Sequence, residues 1–253
     1  MTELFAALTQ MTGEATDLWR QAFIIFIRVG AMAALMPGFG EQTIPARVRL
    51  IIALAFTMVV APAVHVPDMG MGGYAGELAS GLALGFGLRL FVMVLQTGGA
   101  IIAQATSLSQ ILGGAGEAQP AIGHLLTYAG LALAMAADLH LRLAELIILS
   151  YRILPAGGIP DPSVIAEWGV GQVAHAFRLA FGIAAPFVAG SLVYNVAIGV
   201  INRAMPQLMM SMVFAPALTL GGLILLAIVA PISLGVWIAA FNVWLGNPFT
   251  VLP

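Results

Sequence analysis

The last fifty residues of the chain, Ala204 to Pro253, carry no charged side chain, and their centre, Leu218 to Gly246, reads LTLGGLILLAIVAPISLGVWIAAFNVWLG. The hydrocarbon core of a bilayer is crossed by about 20 mainly apolar residues in a helix. Fifty residues in one helix would run about 75 Å at 1.5 Å per residue, far beyond that core. Pro206, Pro216, Pro231 and Pro248 punctuate the stretch, so it is expected to form one long bent helix over Leu208–Leu245 and an extended tail. In hydrocarbon every backbone polar group needs an internal partner, which makes helix the reading for a run of this length.

Working outward, the same character fills the chain. Of its 253 residues 61% are hydrophobic and 8% charged, mean hydropathy is +1.03, and soluble domains carry about 25% charged residues. Further spans are predicted at Leu18–Met36, Leu50–Val66, Glu77–Leu112, Ile122–Ser150 and Gln172–Asn202. Glu77–Leu112 is too long for one crossing, so a break is expected near Gly98-Gly99 or Gly113-Gly114. Leu4, Leu8, Met11 and Ala15 share a helical face and predict a separate short interfacial or packing helix. The fold class is therefore all-α: a polytopic membrane protein of about six long, partly broken helices arranged as helical hairpins. Tyr151–Gly171, with Pro155, Gly157-Gly158, Pro160 and Pro162, is the most loop-like stretch and the best boundary, with four helices before it and two after.

Composition also excludes functions. A net charge of −2 gives no steering toward nucleic acid. Without cysteine there is no disulfide, thiol chemistry or Cys-ligated metal. Glu3, Glu14 and Asp17 precede the first basic residue, the reverse of a signal peptide's n-region, so the N-terminus is expected to remain in the mature chain. His65, His124, His140 and His175 form no H-E-x-x-H arrangement, and no G-x-S-x-G elbow or phosphate loop occurs. No enzyme, cofactor or metal site is expected. All nine basic residues are arginine. Across six crossings Arg47, Arg49 and Arg203 fall on one side, Arg20 and Arg152 on the other, a weak vote for a cytoplasmic first side.

Ionisable groups at membrane depth are costly and are functional candidates by default. Arg28 and Arg89 stand in spans without a local acidic partner, so each must meet another helix, another subunit or water. Asp138, Arg142 and Glu145 share one face of the predicted Ile122–Ser150 helix. That face is either a self-neutralised packing cluster or an ion relay, and the relay would make the chain a self-contained secondary transporter with a midplane site. Gln96, Gln104, Asn195 and Asn202 suit interhelical hydrogen bonds, and Gly81-x-x-x-Gly85 allows close backbone approach. The thirteen methionines suit adaptable packing.

Three groups of strings, in register, resemble the FliR family, the membrane subunit of the flagellar type III export gate whose injectisome counterpart is SctT. The first is Arg28-Val-Gly, Pro37-Gly-Phe-Gly and Ile44-Pro-Ala-Arg-Val-Arg-Leu50. The second is Glu77-Leu-Ala-Ser-Gly-Leu-Ala-Leu-Gly-Phe86 leading to Gly99-Ala-Ile-Ile-Ala-Gln104. The third is Ala185-Pro186, Asn195 to Gly199 and Asn202-Arg-Ala-Met-Pro-Gln-Leu208. The resemblance runs from about residue 15 to 245. It implies a FliP-like N-terminal part over 1–150, a connecting loop over 151–171 and a FliQ-like C-terminal hairpin over 172–253. The implied partners are FliP-like, FliQ-like and FlhB-like subunits and unfolded export substrates, at the inner membrane and the flagellar basal body. It also implies a pore plug at about 106–120, containing Ile111, Leu112, Gly113, Gly114, Ala115, Gly116 and Glu117. Expected subunit-packing positions are Arg28, Gly81, Gly85, Arg89, Gln104, Asn195, Asn202, Arg203 and Gln207. General similarity leans to the flagellar system, although the residues alone do not separate it from the injectisome.

Overall fold

A computed structural model describes residues 2–40, 44–67, 69–106, 121–204 and 210–249, the backbone alone over 2–14 and 210–215. Among these residues the chain forms seven α-helices and no strand: α1 (Thr2–Leu35), α2 (Ala46–Val60), α3 (Met71–Ala105), α4 (Ala121–Ala136), α5 (Leu139–Ile153), α6 (Pro162–Ala204) and α7 (Met210–Gly246). A single 3-10 turn, Ala61–Ala63, follows α2. Five segments are long and apolar enough to cross a membrane: Ala15–Leu35, Ala46–Ala63, Met71–Ala105, Pro162–Ala204 and Pro216–Gly246.

Proline and glycine set the helix ends. After α1, Pro37 and Gly38 (φ 74°) reverse the chain, and the Gly40 N–H donates to the Met36 carbonyl at 2.7 Å. Pro45, extended at φ −54° and ψ 140°, precedes α2. Asp161 caps α6: its Oδ1 accepts from the Ser163 N–H at 2.8 Å and the Ser163 hydroxyl at 2.6 Å. Pro162 takes the first helical position, where its missing N–H costs nothing.

Four details differ from expectation. Residues 2–17 are not a separate helix but the start of α1. Helix α3 runs unbroken through Gly98-Gly99 to Ala105. Each internal glycine costs only about 1 kcal/mol of helix propensity, and Gly99 lies directly against the Gly123 Cα of α4, where a side chain would collide. The loop after α5 is confined to 154–161 by the Asp161-Pro162 start signal. The predicted Ile122–Ser150 helix is two helices, because Asp138 adopts a left-handed conformation (φ 59°, ψ 40°) between them. Its carbonyl begins α5, accepting from the N–H groups of Leu141 at 3.0 Å and Arg142 at 3.2 Å.

The chain divides into two compact units. One comprises residues 1–89, 138–171 and 245–251, the other 90–137, 172–244 and 252–253. In the first, Ile24, Ile25, Val29 and Met32 of α1, Leu84 and Leu88 of α3, and Leu143 and Ile147 of α5 are buried. In the second, Trp237 stacks on Phe241 at 5.2 Å between ring centroids, and Phe91 lies 5.1 Å from Phe241 and 5.7 Å from Trp244. The indole N–H groups are satisfied: Trp237 donates to the Phe91 carbonyl at 2.9 Å and Trp244 to Gln172 Oε1 at 3.0 Å. Buried tryptophans that bond in this way fix one packing arrangement rather than merely filling volume.

Candidate functional site

Arg28, expected to meet another helix, another subunit or water, is fully buried, and the chain builds a complete site around it. Glu77, equally buried, faces it from α3. Arg28 Nε donates to Glu77 Oε2 at 2.8 Å and Nη2 to Oε1 at 3.0 Å, a bidentate pair. Nη1 donates to the Ser150 hydroxyl at 3.1 Å and Nη2 also to the Leu154 carbonyl at 3.0 Å. The guanidinium carbon lies 3.7 Å from the centroid of the Tyr151 ring. Glu77 accepts twice more, from the Tyr151 hydroxyl at 3.0 Å and the Gly157 N–H at 3.1 Å. Burial holds the Tyr151 phenol well above its ordinary range, so it stays a proton donor. Gly157 sits at φ 80°, a conformation that any Cβ would strain, and this aims its N–H at the carboxylate.

Such a site is stable only as a whole. A buried ion pair loses hydration on both sides and recovers it only through good geometry and full hydrogen bonding. Here α1, α3, α5 and the 154–161 loop each supply at least one group. The site joins these elements, and its groups are spent on one another, so it has the makings of a structural lock rather than a reaction centre.

Next to it, Gly81 and Gly85 let α1 and α3 meet. A Cβ on Gly81 would strike the Arg28 carbonyl oxygen, and one on Gly85 would stand 2.9 Å from both the Met32 carbonyl oxygen and Leu35 Cβ. The close approach expected of this pair is thus made to a helix of the same chain.

The remaining candidates are dispersed. Arg89 is half-buried and engaged. Gln104 is exposed near the end of α3. Asn195 is exposed and its amide donates to Ser191 Oγ at 3.2 Å along α6. Asn202 and Arg203 are exposed in the last turn of α6, where the arginine complements the helix dipole. Asp138, Arg142 and Glu145 are exposed; the chain does not enclose them, as a midplane transport site would require. The plug residues Ile111 to Glu117, and Gln207, lie outside the described residues. Among the described residues no group of three or more His, Asp or Glu could hold a metal ion.

Sequence reasoning missed Glu77, Ser150, Tyr151 and Gly157. A signal existed for the first: only Glu41, Asp68, Glu77 and Glu117 are acidic between residues 18 and 137, so few partners for Arg28 were available. Nothing in the sequence marks the other three.

The second prominent feature is uncovered apolar surface. On α2, Ile51, Met58 and Val59 are 60% or more exposed, and on α6 Leu192, Val193 and Val200 are 64% or more. Only 17% of the apolar window of α6 and 22% of that of α7 is buried within the chain.

Buried charge inside and bare apolar helices outside describe an integral membrane protein built to be surrounded. Residues 19–243 match the family described as "Bacterial export proteins, family 1". The chain belongs to this family. It is 39% identical over 219 residues to the flagellar biosynthetic protein FliR of Caulobacter vibrioides, an alignment covering 82% of this chain and 87% of that one. It is 26% identical over 237 residues to FliR of Escherichia coli, covering 89% and 90%. To FliR of Bacillus subtilis it is 26% identical over 215 residues, covering 79% and 82%. The FliR resemblance read from the three groups of strings is therefore correct, and it falls on the flagellar side: this is a flagellar export component with several apolar helices, of membrane type.

Proposed function

We propose that this family member is a non-enzymatic subunit of the flagellar type III export gate in the inner membrane, at the basal body. There it assembles with FliP-like, FliQ-like and FlhB-like subunits around the path of unfolded export substrates, with a FliP-like part over 1–150 and a FliQ-like hairpin over 172–253. The carrying observation is the contrast between the satisfied Arg28–Glu77 site and the bare apolar faces of α6 and α7. A helix with so few residues of its apolar stretch buried is built for other helices or lipid. The segment 106–120 carries Ile111-Leu112 followed by Gly113, Gly114 and Gly116, a composition that suits an apolar constriction, and we assign it to closing the channel.

Two measurements test this separately. Native mass spectrometry of the tagged full chain, extracted from cells expressing the whole export set, should show a hetero-oligomer; a lone chain overturns the subunit reading. Deleting Ile111–Gly116 should raise the ion conductance of the assembled complex in planar bilayers. Unchanged conductance removes the plug and leaves the subunit assignment standing.

A further inference from the structure

We propose that the groove between α1 and α2 is a binding site for a single anionic phospholipid, with Arg49 holding the phosphate and a floor of small residues receiving an acyl chain. The proposal requires the membrane placement of the chain and is independent of the export-gate reading.

The groove has a volume of about 440 Å³ and is lined by Phe26, Gly30 and Ala34 of α1, Ala53 and Arg49 of α2, and Leu78 of α3. Its walls are apolar but for one group. Arg49 is half-buried, and its Nε is shielded from solvent without a hydrogen-bond partner. An unsatisfied buried donor costs about 1–3 kcal/mol, so the Arg49 Nε is a donor that a bound acceptor would satisfy. Arg47, two residues earlier and on a different side of α2, is exposed. Neither arginine makes an ion pair among the described residues.

Among the described residues the charge at this end of α2 is one-sided. The helix begins without a side-chain cap and without an acidic residue in its first turn, so the free N–H groups of Ala46 and Arg47 add partial positive charge to two arginines. An anion would offset all of it.

The surface around the groove favours a lipid over a partner helix. Beyond the groove, α2 continues as an exposed apolar face of Ile51, Leu54 and Met58. Arginine at one end of such a face is the arrangement in which the cation reaches the headgroups while the helix lies among acyl chains.

The test uses the full chain in neutral detergent, stripped of lipid, and native mass spectrometry with added phosphatidylglycerol, phosphatidylcholine or inorganic phosphate. The wild type should retain one phosphatidylglycerol in preference to phosphatidylcholine. Arg49→Gln should weaken retention of phosphatidylglycerol about five-fold, the effect of one cation at a headgroup, and remove the preference. Gly30→Leu should abolish retention of both lipids. A Cβ at Gly30 meets nothing closer than the Phe26 ring at 3.8 Å, so this variant should unfold at the wild-type temperature in lipid-free detergent. Retention unaffected by either variant, or displacement of lipid by inorganic phosphate alone, overturns the proposal. So does a photo-crosslinker at Leu50 that captures a protein subunit in cells instead of phospholipid.

Discussion

At the scale of single residues, the Arg28–Glu77 pair decides how this chain tolerates charge. Removing one partner leaves the other buried and uncompensated, which costs about 3–5 kcal/mol, while replacing both by apolar residues is often close to neutral. Glu77→Leu and Arg28→Leu are each expected to lower the thermal unfolding temperature of the detergent-solubilised chain strongly, and the double variant to regain most of the loss. Losses that simply add in the double variant would falsify the lock. Asp161 offers a milder case. Its hydrogen bonds from Ser163 hold its carboxyl below the ordinary 3.8. A carboxylate depressed in the folded state contributes stability that is complete above its unfolded pKa and lost as pH falls through its folded one. Wild type and Asp161→Ala should therefore differ at neutral pH and converge in melting temperature under acid; a constant difference across that range would mean the carboxylate is not the cap. The arginine was legible in the sequence as a residue needing a partner. Its partner was not, because helical periodicity reports neighbours three and four residues apart and is blind to a contact 49 residues away.

At the scale of elements, hydrophobic runs and proline positions revealed nearly every helix, and the errors are instructive. Asp138, Arg142 and Glu145 fit a helical face so well that the break at Asp138 was hidden. Aspartate is among the few residues that enter the left-handed region as single residues, at a cost that glycine does not share. Asp138→Gly is accordingly expected to keep or raise stability, and Asp138→Val to lower it by about 1–2 kcal/mol, as read from unfolding in detergent; a harmless valine would mean that the break is not held at this residue. The opposite error concerned Gly98-Gly99, where punctuation suggested a break and packing on Gly123 kept the helix whole. Local propensity is a weak prior that tertiary contact overrides in either direction.

At the scale of the molecule, composition revealed the membrane class, but hydrophobicity alone cannot distinguish a side chain facing lipid from one facing a subunit. Val193 on α6, 70% exposed, belongs to that ambiguous surface. Because it is outside the core, Val193→Arg is expected to leave the melting of the isolated chain in detergent near wild type, yet to cut co-purification with other export subunits at least ten-fold. Equal recovery of partners would assign this stretch of α6 to lipid. The candidate site was only partly readable for a related reason: its anchor is an internal charge network, whereas the functions proposed for the chain reside on surfaces whose meaning depends on what covers them.

The lock also imposes an order of events. Helix α1 leaves the ribosome with Arg28 long before Glu77 exists, and an arginine at the centre of a membrane helix carries an insertion penalty of about 2.5–3.5 kcal/mol. Until α3 has been made, α1 has nothing to neutralise its charge, and until Tyr151 and Gly157 follow, the carboxylate is only half satisfied. The first segment of this protein is therefore a conditional guest in the bilayer: its residence is confirmed by residues synthesised more than a hundred positions later.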